Sequence, residues 1–276
     1  MSGRDGARTR VGCSVDADGR ITFDIRPGAG RLLVRLRPRK GEPERVRHVL
    51  DTEPGDDGGA RAVLGLDPVL AEGRWDVYVL RGPDAGRERV YPAARDLRAL
   101  VDGRLRDREV PLAVRVPYVT KDGRLAVRAW LRPGHAEAAG LGVTESATTF
   151  AARLHGAEVG PGATAVLRRR GGGPTRTAEV RAGDDHRSFS FTVAHRELTA
   201  DGAGVWDVFV RPAREAPLIR LARLLDDVAD RKSVFVYPAT PVGGLLVRAY
   251  YTVDNDLSVS VTPRPAGEDA PAVTPS

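Results

Sequence analysis

The sequence has little sulfur and few amides: one cysteine, one methionine, no glutamine and a single asparagine, Asn255, in 276 residues. A lone thiol, Cys13, closes no intramolecular disulfide and completes no zinc cluster. Its place in the N-terminal stretch leads us to expect it in loose chain. Lysine is scarce too: of 43 cationic residues only Lys40, Lys121 and Lys232 are lysine, which fits a GC-rich coding bias. No apolar run approaches the roughly 20 residues that span a bilayer. The longest, Val236 to Tyr251, is broken by prolines, by Gly243-Gly244 and by Arg248. Met1 to Gly12 is rich in Arg and Gly and lacks the apolar centre of a secretory signal. These absences predict a cytoplasmic protein with no membrane span, held at the inner face of the membrane through a partner, and needing no cofactor and no metal.

What is present is globular composition, 41% hydrophobic and 29% charged. The length suits two domains, and an internal repeat supplies them. Trp75-Asp76-Val77-Tyr78-Val79 recurs as Trp206-Asp207-Val208-Phe209-Val210, and Gly123 to Trp130 can be laid over Gly243 to Tyr250. We read residues 1–138 as a first repeat, 139–264 as a second and 265–276 as a disordered tail, with a linker near Pro133 to Val143. Of the 43 basic and 37 acidic side chains, 27 and 21 fall in residues 1–138 and 16 and 16 in residues 139–276, so the first repeat carries the whole +6.

Period-two alternation, as in Ile21 to Ile25, Phe189 to Val193 and Leu257 to Val261, predicts half-buried strands. Asp18-Gly19, Asp57-Gly58-Gly59, Asp122-Gly123 and Asp201-Gly202 mark the turns between them. The expected fold class is all-β, two tandem immunoglobulin-like β-sandwich domains with at most one short helix each. Leu218 to Val228 shows an apolar stripe that predicts one such helix, with a shorter counterpart around Leu97, Leu100 and Val101.

Few catalytic signatures offer themselves. Asp16-Ala17-Asp18 and Asp254-Asn255-Asp256 have the spacing of a metal-nucleotide ligand pair or half a calcium loop, but lack a third ligand and a late Glu, so they read as hairpin turns. His48, His135, His155, His186 and His195 are scattered singly. No nucleophile elbow, P-loop or dinucleotide fingerprint occurs, and Gly171 to Gly173 simply follows a basic strand end. An enzymatic reading would have to draw on Asp16, Asp18 or those histidines.

The pleat gives the binding candidates. Trp75, Val77 and Val79 share one face, Asp76 and Tyr78 the other. Leu125, Val127, Ala129 and Leu131 put Arg128 and Trp130 on an outward face, as Arg248 and Tyr250 are in the second copy. An exposed aromatic beside an arginine stacks sugars and binds hydroxyls or phosphate; the alternatives are packing, or cross-strand pairs Arg128 to Asp76 and Arg248 to Asp207. Arg35, Arg37 and Arg39 line one strand face that could meet an anionic polymer. No aromatic-rich binding strand or basic recognition helix accompanies them, which argues against nucleic acid.

The Trp-Asp-Val-(Tyr/Phe)-Val strand, a Leu-rich crossover and the later Gly-x-Leu-x-Val-Arg-Ala strand together resemble tandem immunoglobulin-like accessory domains. These lie C-terminal to the catalytic domain in actinobacterial cell-wall glycopolymer transferases, and similarly in wall teichoic acid glycosyltransferases. The resemblance spans Ile21 to Pro263. It implies a non-catalytic module that binds a transferase or its anionic glycopolymer, with catalysis in a domain absent from this stretch and no catalytic residue to carry over. A stand-alone carbohydrate-binding module, a transferase part whose catalytic domain is on another chain, and a homo-oligomer stay open.

Overall fold

The computed structural model describes residues 8–26, 30–38, 40–44, 46–55, 58–82, 86–103 and 106–265. The chain is all-β and divides into two compact units, Met1–Pro133 with Leu224–Ala229, and Gly134–Arg223 with Asp230–Ser276. Only two short helices occur among the described residues, Arg98–Asp102 and His195–Thr199, and no helix is long and apolar enough to cross a membrane.

The first unit is a sandwich of two sheets. One orders the strands Thr52–Pro54, Ala60–Leu64, Ile21–Arg26, Arg10–Val15 and Tyr91–Asp96, the last pairing parallel to its neighbour. The other orders Leu112–Val119, Leu125–Arg132, Gly73–Leu80, Arg31–Leu36 and Arg47–Leu50, with Arg87–Arg89 also on Gly73–Leu80. The alternation reads directly into burial: Ile21, Phe23 and Ile25 are fully buried and so are Trp75, Val77 and Val79. Each such large side chain contributes roughly 1.5–3 kcal/mol of transfer free energy. Tight reversals fall where sequence places them; Gly19 takes φ 89° between Arg10–Val15 and Ile21–Arg26.

The second unit carries equivalent strand pairings, but Ile219–Ala222 joins them into one 11-stranded sheet. Ala147–His155 lies between His135–Val143 and Ser188–Ala194; Thr164–Arg169 and Leu257–Pro263 flank Gly204–Arg211; Leu245–Tyr251 lies outside Leu257–Pro263. Its core holds Trp206, Phe150 and Phe191, the two phenyl rings stacked at 4.9 Å.

Several expectations change. Residues Leu218 to Val228 form no helix. Ile219–Ala222 is a strand: Ile219 and Arg220 pair with Val210 and Phe209, while Leu221 and Ala222 pair parallel to Ala136 and Glu137, so one short strand joins two ladders. An isolated eleven-residue helix is marginal, and the extended form instead buries Ile219 and Leu221 while turning Arg220 toward Asp207. The counterpart near Leu97 is a helix, Arg98–Asp102, and the second unit's helix lies at His195–Thr199. The expected linker is also strand, since His135–Val143 buries Ala136 and Ala138 and leaves Pro133-Gly134 as the join. Cys13 is not in loose chain but mid-strand and buried, and burial pushes its thiol up to about 11. Arg39, Asp57 and residues 266–276 lie outside the described residues.

The register of the repeat changes as well. Leu125–Arg132 pairs with the first tryptophan strand, but the strand on the second tryptophan strand is Leu257–Pro263, not Leu245–Tyr251. Val127 faces Trp75 as Val259 faces Trp206. Leu245–Tyr251 therefore corresponds to Leu112–Val119, and Tyr250 to Tyr118, because Tyr250 pairs with Ser258 and Tyr118 with Ala126.

Candidate functional site

The outer face of each tryptophan strand centres on an aspartate that the pleat turns away from the core. Around Asp76 stand Arg37, whose Nη2 donates to Oδ1 at 2.6 Å and whose Nε donates to Oδ2 at 3.3 Å, with Arg35 and Arg89 each donating at 3.3 Å. Around Asp207, Arg170 repeats the two-pronged contact at 2.6 and 3.3 Å, and Arg220 and Ser258 Oγ donate at 2.8 and 2.9 Å. The equivalence is one of register. Arg35 is opposite Asp76 as Arg168 is opposite Asp207, so Arg37 and Arg170 each stand two residues further on; Arg89 is opposite Tyr78 as Arg220 is opposite Phe209.

An aromatic residue flanks each centre on both sides. Arg35 lies 5.1 Å from the Tyr78 ring centroid, and Arg168 and Arg220 lie 5.6 and 4.8 Å from that of Phe209. The Arg170 pKa is raised chiefly by its bond to Asp207, with a smaller contribution from the nearby Tyr250. Burial pushes the Tyr118 phenol above its ordinary value, although Arg74, Arg37 and Arg128 nearby act the other way. Burial also opposes ionisation of Asp207, yet Arg170 and Arg220 outweigh it and hold the carboxyl far below the usual range. A planar guanidinium carries five donors, of which a carboxylate takes two at most. The half-exposed Arg37 and Arg170 therefore keep donors for a further anion or hydroxyl, beside a tyrosine ring edge suited to a sugar.

The sequence candidates distribute unevenly over this site. Arg35 and Arg37 belong to it in the first unit. Arg248 is exposed opposite Ser260 and Tyr250 is half-buried, both on the outer face of the second. Arg128 and Trp130 are not their counterparts. Register sets Arg128 opposite Arg74, with its guanidinium 5.2 Å from the Trp130 ring, and Trp130 is only 1% exposed. Its expected role as an open stacking platform is corrected: the ring fills space. The proposed pairs are corrected too, since Ala126 rather than Arg128 is opposite Asp76 and Asp207 is held by Arg170 and Arg220. Sequence reading missed Arg89, Arg170, Arg220 and Tyr118; the signal was available in Arg-x-Arg spacing two residues apart in both copies, at Arg35 and Arg37 and at Arg168 and Arg170.

The acidic triplets are turns. Asp16 Oδ1 accepts the amides of Asp18 and Arg20, both at 2.9 Å, and Arg20 bridges both carboxylates. Asn255 is fully buried at φ 60° with its Oδ1 accepting the Arg231 amide. Among the described residues no three His, Cys, Asp or Glu side chains converge in a way that could hold a metal.

No family model and no curated protein matches this chain. Among solved structures it is similar to S. aureus TarS, at TM-score 0.39 and 12% identity over 59% of this chain and 30% of that one. A fragment of the same protein, S. aureus TarS 217-571, gives TM-score 0.37 and 11% identity over 69% of this chain and 45% of that one. A marsupial T cell receptor gives TM-score 0.19 and 10% identity over 74% and 91%. The chain thus spans less than half of either TarS structure.

Proposed function

We propose that the chain is a non-catalytic module of two β-sandwich units that serves cell-envelope glycopolymer synthesis by holding an anionic glycopolymer beside the transferase that handles it. The observation that carries this reading is the recurrence of one outer-face arrangement, tyrosine, forked arginine, aspartate and second arginine, in both units. Arg35 and Arg89 also reach Glu44 and Asp122, and Arg220 reaches Asp256, so the donors left for a ligand are those of the half-exposed Arg37 and Arg170, on a face edged by aromatic rings. The resemblance of the repeat to transferase accessory domains agrees with it, and on this reading the chain lies at the inner leaflet through that partner.

The test is titration of the full chain with an anionic wall glycopolymer and with a neutral glycan of equal length, at two salt concentrations. Arg248→Ala and Tyr250→Ala should each weaken the anionic ligand about three- to tenfold, and salt should weaken it further. Equal, salt-independent binding of the neutral glycan would make the chain a carbohydrate-binding module instead. Turnover of a nucleotide sugar by the chain alone would overturn the non-catalytic reading.

A further inference from the structure

We infer that the two copies of the outer face have diverged: the second unit's copy is a two-point clamp for one ligand carrying two anionic groups, and the first unit's copy is closed. The inference rests on the reading of this face as the binding surface, and it names the copy that binds. Register supplies the comparison. Arg170 donates its amide to the Val205 carbonyl at 2.8 Å, Val205 is opposite Ser260, and Ser260 is opposite Arg248. Arg37 likewise donates its amide to the Arg74 carbonyl at 2.8 Å, Arg74 is opposite Arg128, and Arg128 is opposite Val116. One row across the sheet thus reads Arg170, Val205, Ser260, Arg248 in the second unit and Arg37, Arg74, Arg128, Val116 in the first.

Both ends of the second unit's row are cationic. Arg170 spends Nε and Nη2 on Asp207, which fixes the plane of its guanidinium, and its side chain stays 49% exposed. Arg248 is exposed and has no carboxylate partner among the described residues. Three strand spacings separate the two backbones by roughly 14 Å, a span that two long side chains can close from either end. Each guanidinium keeps donors for an oxyanion, so one ligand with two such groups engages both.

The floor between the ends is low in the second unit and filled in the first. Ser260 is half-buried and donates its hydroxyl to the Arg248 carbonyl at 3.2 Å, which leaves its oxygen to accept from a ligand hydroxyl. Thr262, two residues further along that strand and on the same face, is exposed. In the first unit Arg128 stands in the place of Ser260 and Trp130 in that of Thr262, both buried, with the guanidinium 5.2 Å from the ring. The far end decides the matter: the residue in the place of Arg248 is Val116, which is fully buried. The first unit therefore offers Arg37 alone, although its repeat carries the whole +6. A repeat's net charge and the position of an open cationic face are different properties.

The probes are fructose 1,6-bisphosphate and fructose 6-phosphate, titrated into the full chain by calorimetry. The bisphosphate should bind at one site per chain, at least about tenfold more tightly than the monophosphate. Arg248→Gln and Arg170→Gln should each reduce that advantage to within about twofold, with melting curves showing that the variants fold. Should Arg170→Gln unfold through the loss of its bond to Asp207, the exposed Arg248→Gln decides alone. Arg47→Gln and Arg181→Gln, exposed elsewhere, should leave the advantage unchanged. Equal affinity for the two sugars, an advantage that survives Arg248→Gln, or two sites per chain overturns the inference. The wall glycopolymer titration reads out separately. Polymer binding without a bisphosphate advantage sinks the clamp and keeps the module reading, and a bisphosphate advantage without polymer binding does the reverse.

Discussion

Asp76 is only 3% exposed and accepts from three guanidiniums, of which Arg35 and Arg89 also reach Glu44 and Asp122 and Arg37 is half-exposed. Asp76→Asn should therefore cost about 2–3 kcal/mol, the loss of charge-assisted bonds rather than of a fully buried pair; Asp207→Asn, at a side chain 19% exposed, should cost less, about 2 kcal/mol. Urea midpoints measure both. The depressed Asp207 carboxyl fixes a sign: its stabilisation is present at neutral pH and is lost as pH falls below about 3.8, the unfolded value, toward the lower folded one. The melting-temperature gap between Asp207→Asn and the parent should therefore close in acid. His195 adds a second window. Its ring is buried against Thr148 Oγ1 at 2.8 Å, and burial lowers its pKa from 6.5, so the unfolded chain takes up the proton first and stability falls as pH drops below about 6.5. His195→Gln should flatten that part of the profile. Cys13, its thiol raised to about 11 by burial, should resist a thiol reagent at pH 8 in the folded chain and react fully in denaturant; prompt labelling of the folded chain would contradict its placement.

The strand Ile219–Ala222 explains much of what sequence reading could and could not see. Leu218, Leu221, Leu225 and Val228 satisfy a helical period, but Ile219, Leu221 and the intervening Arg220 satisfy a strand period equally well. What decides is a partner more than eighty residues earlier, Ala136 and Glu137, which no local pattern reveals. Leu221→Pro removes an amide from this two-sided ladder and should cost about 3 kcal/mol or more; its amide exchange should follow global unfolding in the parent chain. The tryptophan strands, by contrast, were legible, because a rare residue repeated with its flanking alternation marks both the core face and the outer face. Arg35 and Arg37 were legible as neighbours on one strand face, from the alternation alone. The equation of Arg128 and Trp130 with Arg248 and Tyr250 failed because two adjacent antiparallel strands carry similar Leu-x-Val patterns, and similarity of pattern does not say which of them touches tryptophan.

The first unit is not one continuous stretch of chain, since Leu224–Ala229 belongs to it and contributes the buried Leu224, Leu225 and Ala229. Leu224→Ala with Leu225→Ala should therefore destabilise a core whose only thiol lies far away in sequence, and labelling of Cys13 should accelerate in the double variant while the second unit's Trp206 environment stays native by fluorescence in a Trp75→Phe, Trp130→Phe background. Unchanged Cys13 labelling would mean that the segment is dispensable. The arrangement also sets an order of events during synthesis. At about 5–20 residues per second, a ribosome that has finished residue 133 needs roughly 5–20 s more to reach residue 229, and until then the nascent first unit is missing its last piece. Most of the second unit's strands are made in that interval, so the protein must keep an unfinished sandwich from pairing with newly emerged strands of nearly the same pattern. The differing surface charges of the two repeats are one means by which the growing chain can tell its own halves apart.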